Sequence, residues 1–68
     1  MMIKIIRMPG GTKEYAISDG ATINEALVMA EISLDSGESV KLNGVDATTD
    51  QVLSDGDHII VAKGAKGN

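Results

Sequence analysis

A chain of 68 residues with ten acidic and six basic side chains carries a net charge of −4 and has no cysteine. That excludes a second domain, the clustered basic surface of a nucleic-acid binder, and a disulfide frame or thiolate metal site. No apolar run approaches the ~20 residues of a membrane span, Met1-Met2-Ile3-Lys4 meets a charge too soon for a signal peptide, and Tyr15 as the only aromatic residue leaves no rings for base stacking. Met2 to Met8 predicts a first strand, in which Ile3 and Ile5 share one face and alternate with Lys4 and Ile6. Pro9-Gly10-Gly11 stops it, because proline lacks a ladder donor and glycine permits positive φ. Lys13 to Ile17 predicts the second strand of an antiparallel hairpin, with Tyr15 and Ile17 on one face and Glu14 and Ala16 on the other.

Ser18-Asp19-Gly20 breaks that strand. Thr22 and Glu25 have the spacing of a capping box, and the helix they start is expected to run to about Glu31. Ile23, Ala26, Leu27 and Ala30 make its buried stripe, with Val28 and Met29 off it. Asp35-Ser36-Gly37 marks a loop from which Leu34 is expected to plug the core. Ser39 to Leu42 predicts a third strand with Val40 and Leu42 on one face, and Asn43-Gly44 is a two-residue turn into a short fourth strand, Val45 to Ala47. Thr48-Thr49-Asp50 is expected to cap a single helical turn ending near Leu53, whose side chain points inward. Asp55-Gly56-Asp57 turns into the last strand, His58 to Lys63, and the β-branched run Ile59-Ile60-Val61 marks that strand as central.

The order strand-strand-helix-strand-strand-strand, with a right-handed crossover, sets the last strand parallel to the first and beside it. This is an α+β chain in the β-grasp arrangement: a mixed sheet of four to five strands packed on one helix over residues 1–63, followed by a polar, glycine-rich tail at 64–68 expected to be mobile. Leu27, Leu42, Leu53, Ile59 and Val61 are expected to share the core. If Ile3, Ile5, Ile59 and Val61 face the helix, strict alternation sends Ile6, Met8, His58, Ile60 and Ala62 to the opposite face. One helix covers one face, so these five residues form a candidate partner-binding patch, although scattered exposed apolar residues are also ordinary.

Little in the chain points to chemistry. Asp50, Asp55 and Asp57 lack the spacing of a calcium loop and suit turns and caps, so no metal is expected. His58, the only histidine, has no nucleophile or ligand companion in sequence and reads as a strand-edge residue touching water. Gly10-Gly11-Thr12-Lys13 lacks the spacing of a phosphate loop and reads as a hairpin turn. With no paired acid and base and no nucleophile, no catalytic residue, no cofactor and no enzyme activity are expected.

Leu42-Asn43-Gly44, followed by Leu53-Ser54-Asp55-Gly56-Asp57-His58-Ile59-Ile60-Val61, resembles the second half of the ubiquitin-like sulfur carriers of the ThiS and MoaD type. The opening Met2-Ile3-Lys4-Ile5 and the helix start at Thr22 fit as well. The resemblance spans nearly the whole chain in element order and Leu42 to Val61 in motif. It implies a ubiquitin-like β-grasp fold and a protein partner such as an adenylating or sulfur-transfer enzyme; with cysteine absent, a cytoplasmic location is expected. In those carriers a terminal Gly-Gly carboxylate is adenylated and converted to a thiocarboxylate, whereas here the tail reads Gly64-Ala65-Lys66-Gly67-Asn68. Two functions are therefore carried forward. The first is a non-catalytic interaction module docking through the open sheet face. The alternative is a sulfur carrier or protein modifier activated at its end, with Lys66, Gly67 and Asn68 as the site.

Overall fold

The computed structural model describes residues 1–8 and 10–63; the expectations placed on Pro9 and on the tail at 64–68 lie outside them. Two isoleucine-rich strands make the centre of the fold: β1 (Met2–Arg7) and β5 (His58–Lys63) run parallel, with Ile5 beside Ile59 and Ile6 beside Ile60. β2 (Gly11–Ala16) pairs antiparallel with β1, β3 (Glu38–Leu42) antiparallel with β5, and the two-residue β4 (Val45–Asp46) antiparallel with β3. The sheet order is β2-β1-β5-β3-β4, and α1 (Ile23–Met29) packs on one face. This is the expected β-grasp arrangement. The core is Ile3 and Ile5 of β1, Val40 of β3, Ile59 and Val61 of β5, and Ile23, Ala26 and Leu27 of α1, closed at one end by Leu53. Each of the isoleucine, leucine and valine side chains among them stabilises the fold by about 1.5–3 kcal/mol through burial. Leu42, expected among them, is half-buried at the margin, because the strand beyond it has only two residues.

The first turn of α1 is held from two directions. Thr22 Oγ1 accepts from the Glu25 N–H at 3.2 Å, and Glu25 Oε1 accepts from the Thr22 N–H at 2.8 Å, a complete capping box. The N–H groups of Ile23 and Asn24, orphaned at any helix start, donate to the carbonyls of Gln51 and Thr49 at 3.0 and 2.8 Å. The segment that supplies them is a β-turn closed by the Gln51 N–H on the Thr48 carbonyl, not the expected helical turn: its carbonyls serve α1 instead of a helix of their own. Leu53 nevertheless points inward, fixed by its N–H on the Ala21 carbonyl at 2.8 Å.

The helix ends two residues earlier than expected. Glu31 takes φ 60°, the Glu31 N–H donates to the Val28 carbonyl at 3.0 Å, and the Ile32 N–H donates to the Leu27 carbonyl at 2.9 Å. This is a Schellman motif with glutamate where glycine is usual. It turns Ile32 back onto the core, so Ile32 rather than Leu34 plugs that end; Leu34 is 38% exposed. The hairpin boundaries also shift. β1 stops at Arg7 and β2 begins at Gly11, because the pairing runs unbroken to Arg7–Gly11. A Cβ at Gly10 would stand 2.8 Å from the Arg7 carbonyl oxygen, so the turn requires glycine there.

Candidate functional site

The side of the sheet away from α1 is built by parity. Ile3 and Ile5 are buried, so Lys4 and Ile6 point the other way, and the strand pairings extend each position into a row. The central row is Thr12, Ile6, Ile60, Lys41 and Asp46, one residue from each strand. On one side of it lie Glu14, Lys4 and His58; on the other, Ala62 and Ser39. Ile6, Ile60 and Ala62 are half-buried and His58 is exposed. The structure thus brings together four of the five residues expected on this face. Met8 is the correction: it lies beyond the end of β1, in the turn, 55% exposed. Its N–H still bonds the Val61 carbonyl at 3.0 Å, which keeps it at the Ala62 end of the sheet. The tail residues Lys66, Gly67 and Asn68 lie outside the described residues.

The face is an apolar centre with polar flanks. Lys41 Nζ donates to Asp46 Oδ1 at 2.7 Å, and this hydrogen bond, together with the ammonium charge, lowers the Asp46 carboxyl below the ordinary carboxylate value. Glu14, Lys4 and His58 border a shallow depression of about 120 Å³. Lys4 falls on this face as its alternation with Ile3 and Ile5 implied; Lys41 and Thr12 were not anticipated there, and the same alternation carried from β1 and β5 into β2 and β3 would have placed them.

His58 is fixed by backbone and not by catalytic partners. Its N–H donates to Asn43 Oδ1 at 2.9 Å, and its carbonyl accepts from the Asn43 N–H at 2.8 Å. Asn43 Nδ2 also donates to Asp57 Oδ1 at 3.0 Å. Asn43 and Gly44 both take positive φ, 54° and 86°, as a two-residue hairpin turn requires. The two halves of the sequence motif, Asn43-Gly44 and Asp55-Gly56-Asp57, are therefore one hydrogen-bonded unit. Asp55 and Asp57 are spent on turns: Asp55 Oδ1 accepts from the Met2 N–H and Asp57 Oδ2 from the Ser54 N–H, at 2.8 and 2.7 Å. Asp50 accepts from the Thr48 hydroxyl. Among the described residues no three His, Asp or Glu side chains converge as metal ligands, and no helix is long and apolar enough to cross a membrane.

Among solved structures the chain is similar to SAMP1 from Haloferax volcanii, at 15% identity, with a TM-score of 0.82 over 100% of both chains. The chain has the ubiquitin-like β-grasp fold. It is also similar to a ubiquitin-like protein from the hyperthermophilic archaea Caldiarchaeum subterraneum, at 19% identity and TM-score 0.62, over 98% of this chain and 100% of that one. Caldiarchaeum subterraneum ubiquitin matches at 20% identity and TM-score 0.62, over 100% of this chain and 98% of that one. No protein-family model and no curated protein matches the sequence. At these identities the likeness speaks to the fold, and function is argued from the faces.

Proposed function

We propose that this chain is a small, non-catalytic protein-interaction module of the ThiS/MoaD-like type, working in the cytoplasm and docking a protein partner through its open sheet face. The observation that carries the reading is the side-by-side pair Ile6–Ile60 at the centre of the uncovered face, on the two middle strands, rimmed by Thr12, Lys4, His58 and Lys41. An apolar centre with a polar rim is the anatomy of a protein interface. The rim mixes both signs, with Glu14 and Asp46 beside the lysines, which suits a folded protein better than a phosphate backbone. On this face His58 is fixed through its backbone N–H on Asn43 Oδ1, and among the described residues its imidazole has no hydrogen-bond partner, which favours binding over reaction.

The second reading is a carrier or modifier activated at its end by an adenylating or sulfur-transfer enzyme. It is supported by the motif resemblance over Leu42 to Val61 and by the hydrogen bonds that join its two halves. In that reading Gly67 is the reactive end, after removal or tolerance of Asn68.

Quantitative capture from native lysate separates the two. Wild type is compared with Ile6→Ser/Ile60→Ser and with a chain lacking 66–68. Docking through the open face predicts that the double variant loses its partners, by a few kcal/mol of binding free energy if the two isoleucines are central anchors (about 2 or more each), while the truncated chain keeps them. Loss on truncation alone, with the double variant binding normally, would replace the docking reading with the carrier.

A further inference from the structure

Asn43 carries chemistry as well as structure. An asparagine followed by glycine readily loses its side-chain amide, because glycine has no Cβ to hinder attack by its own backbone nitrogen. A residue with a suitably placed side-chain carbonyl precedes glycine at Asp19-Gly20, Asn43-Gly44 and Asp55-Gly56. The two aspartates are already acids. At Asp55 both reacting groups are also occupied: the Gly56 N–H donates to the Met2 carbonyl at 2.7 Å, and Asp55 Oδ1 accepts from the Met2 N–H at 2.8 Å. Asn43 has an amide to lose, and its surroundings leave room for the reaction. Among the described residues the Gly44 N–H makes no backbone hydrogen bond. A Cβ at Gly44 would meet nothing within 4 Å, so the space beside that nitrogen is open. Both residues are exposed to water.

The fold opposes the attack through the side chain. Asn43 Oδ1 accepts from the His58 N–H at 2.9 Å, and Nδ2 donates to Asp57 Oδ1 at 3.0 Å. Bringing Cγ onto the Gly44 nitrogen breaks both bonds. Both end on one dipeptide, Asp57-His58, so a local opening of the turn from the start of β5 removes them together.

We propose that Asn43 is a self-acting modification site: the closed turn keeps it an amide, and each opening lets it convert to aspartate or isoaspartate, which unlatches the turn from β5. The Gly44 nitrogen gives its proton to solvent and bonds to Asn43 Cγ. The Cγ–Nδ2 bond breaks, and the amide nitrogen leaves, reprotonated, as ammonia. Water then opens the five-membered imide. Cleavage at Cγ leaves aspartate, and cleavage at the main-chain carbonyl leaves isoaspartate. One water is consumed, one ammonia is released and nothing is oxidised. Aspartate sets a carboxylate against Asp57 where the amide had donated, a like-charge contact. Isoaspartate adds a main-chain carbon to a two-residue turn, which cannot then hold Leu42 opposite Val45 and Lys41 opposite Asp46. The marked chain has lost the His58 and Lys41–Asp46 supports of the open face. The proposal rests on the turn alone and stands whether or not that face docks a partner.

The test incubates the full chain in mildly alkaline buffer, folded and in urea, and follows Asn43 and Asn24 by peptide mapping with mass spectrometry that separates the isoaspartyl form. Conversion at Asn43 is expected to be about tenfold or more slower in the folded chain, because it waits on opening, and faster than at Asn24 in urea. Amide NMR of the purified products is expected to show shifts at Asp57 and His58, joined by Lys41 and Asp46 in the isoaspartyl form. Asn43→Asp should reproduce the first set. Asn43→Asp/Asp57→Asn, which exchanges donor and acceptor, should restore the His58 amide. Equal rates folded and in urea, products with unmoved His58 and Asp57 amides, or no rescue by the exchange would each overturn the proposal.

Discussion

Ile5 and Ile6 are neighbours in β1, and Ile59 and Ile60 are neighbours in β5, yet the two pairs have different fates. Ile5 and Ile59 are 3% and 0% exposed, packed under α1 with Val40 and Leu27. Ile6 and Ile60 lie one residue on, side by side on the face that no helix covers, and are half-buried against each other and their flanking Thr12 and Lys41. Residue type does not distinguish the pairs. Parity does, since a one-residue step along a strand exchanges the two sides of the sheet. One side holds the chain together and the other is available to a partner.

The largest expected effect is on the closed side. Ile59→Ala or Leu53→Ala removes a fully enclosed side chain and costs roughly 2–5 kcal/mol, a large share of the stability of so small a domain. Ile6→Ser/Ile60→Ser, on the open side, is expected to cost about 1 kcal/mol or less, because both residues already meet water. Urea unfolding of the variants side by side checks the contrast; equal losses on the two sides would erase it.

Next is the turn between β3 and β4, whose Asn43 is bonded to the start of β5. Asn43→Ala removes the side-chain bonds to the His58 N–H and Asp57 carboxylate and puts alanine at φ 54°. An expected loss of about 1–2 kcal/mol would appear in the same unfolding series. It would identify Asn43 as a support of the open face, which it holds at His58, and not as a binding residue. A smaller effect of opposite sign is expected at the end of α1. Glu31→Gly removes the Cβ from a left-handed position and should stabilise by about 0.5–1 kcal/mol, read as a raised melting temperature; a lowered one would show that the glutamate side chain matters more than its backbone.

The smallest effect is electrostatic. Lys41→Met removes the donor and the charge that lower Asp46, so the Asp46 carboxyl should return toward its ordinary value in an NMR pH titration. The sign follows from linkage: a carboxyl lowered by folding adds stability above its unfolded pKa, and that contribution fades as pH falls through the folded value. Acid sensitivity in this window should weaken in the variant. An unchanged Asp46 titration would remove the Lys41 pair from the description of the face.

Much of this architecture was legible because its signals are local. The capping box Thr22–Glu25, the Asn43-Gly44 turn and the alternation in β1 and β5 each depend on residues a few positions apart. The errors share a different cause. The Thr48 turn gives its carbonyls to Ile23 and Asn24, far away in sequence. The end of α1 carries no glycine, so the left-handed Glu31 and the inward return of Ile32 had no composition signal. Arg7 falls on the helix side by the same parity as Ile3 and Ile5, and its partner Glu38 lies 31 residues on, nearly enclosed, beyond any periodicity argument. The patch itself was legible at Ile6, His58, Ile60 and Ala62, while Met8 was misplaced because the hairpin turns sooner than proline alone suggested.

The central claim is that the open face meets a partner and the helix back does not. A photo-crosslinking side chain placed at Lys41, on the open face, and in a second protein at Val28, 68% exposed on the back of α1, tests it in native lysate with both proteins folded. The account predicts a discrete adduct from position 41, abolished by Ile6→Ser/Ile60→Ser, and none from position 28. An adduct from position 28 with none from position 41 would contradict it.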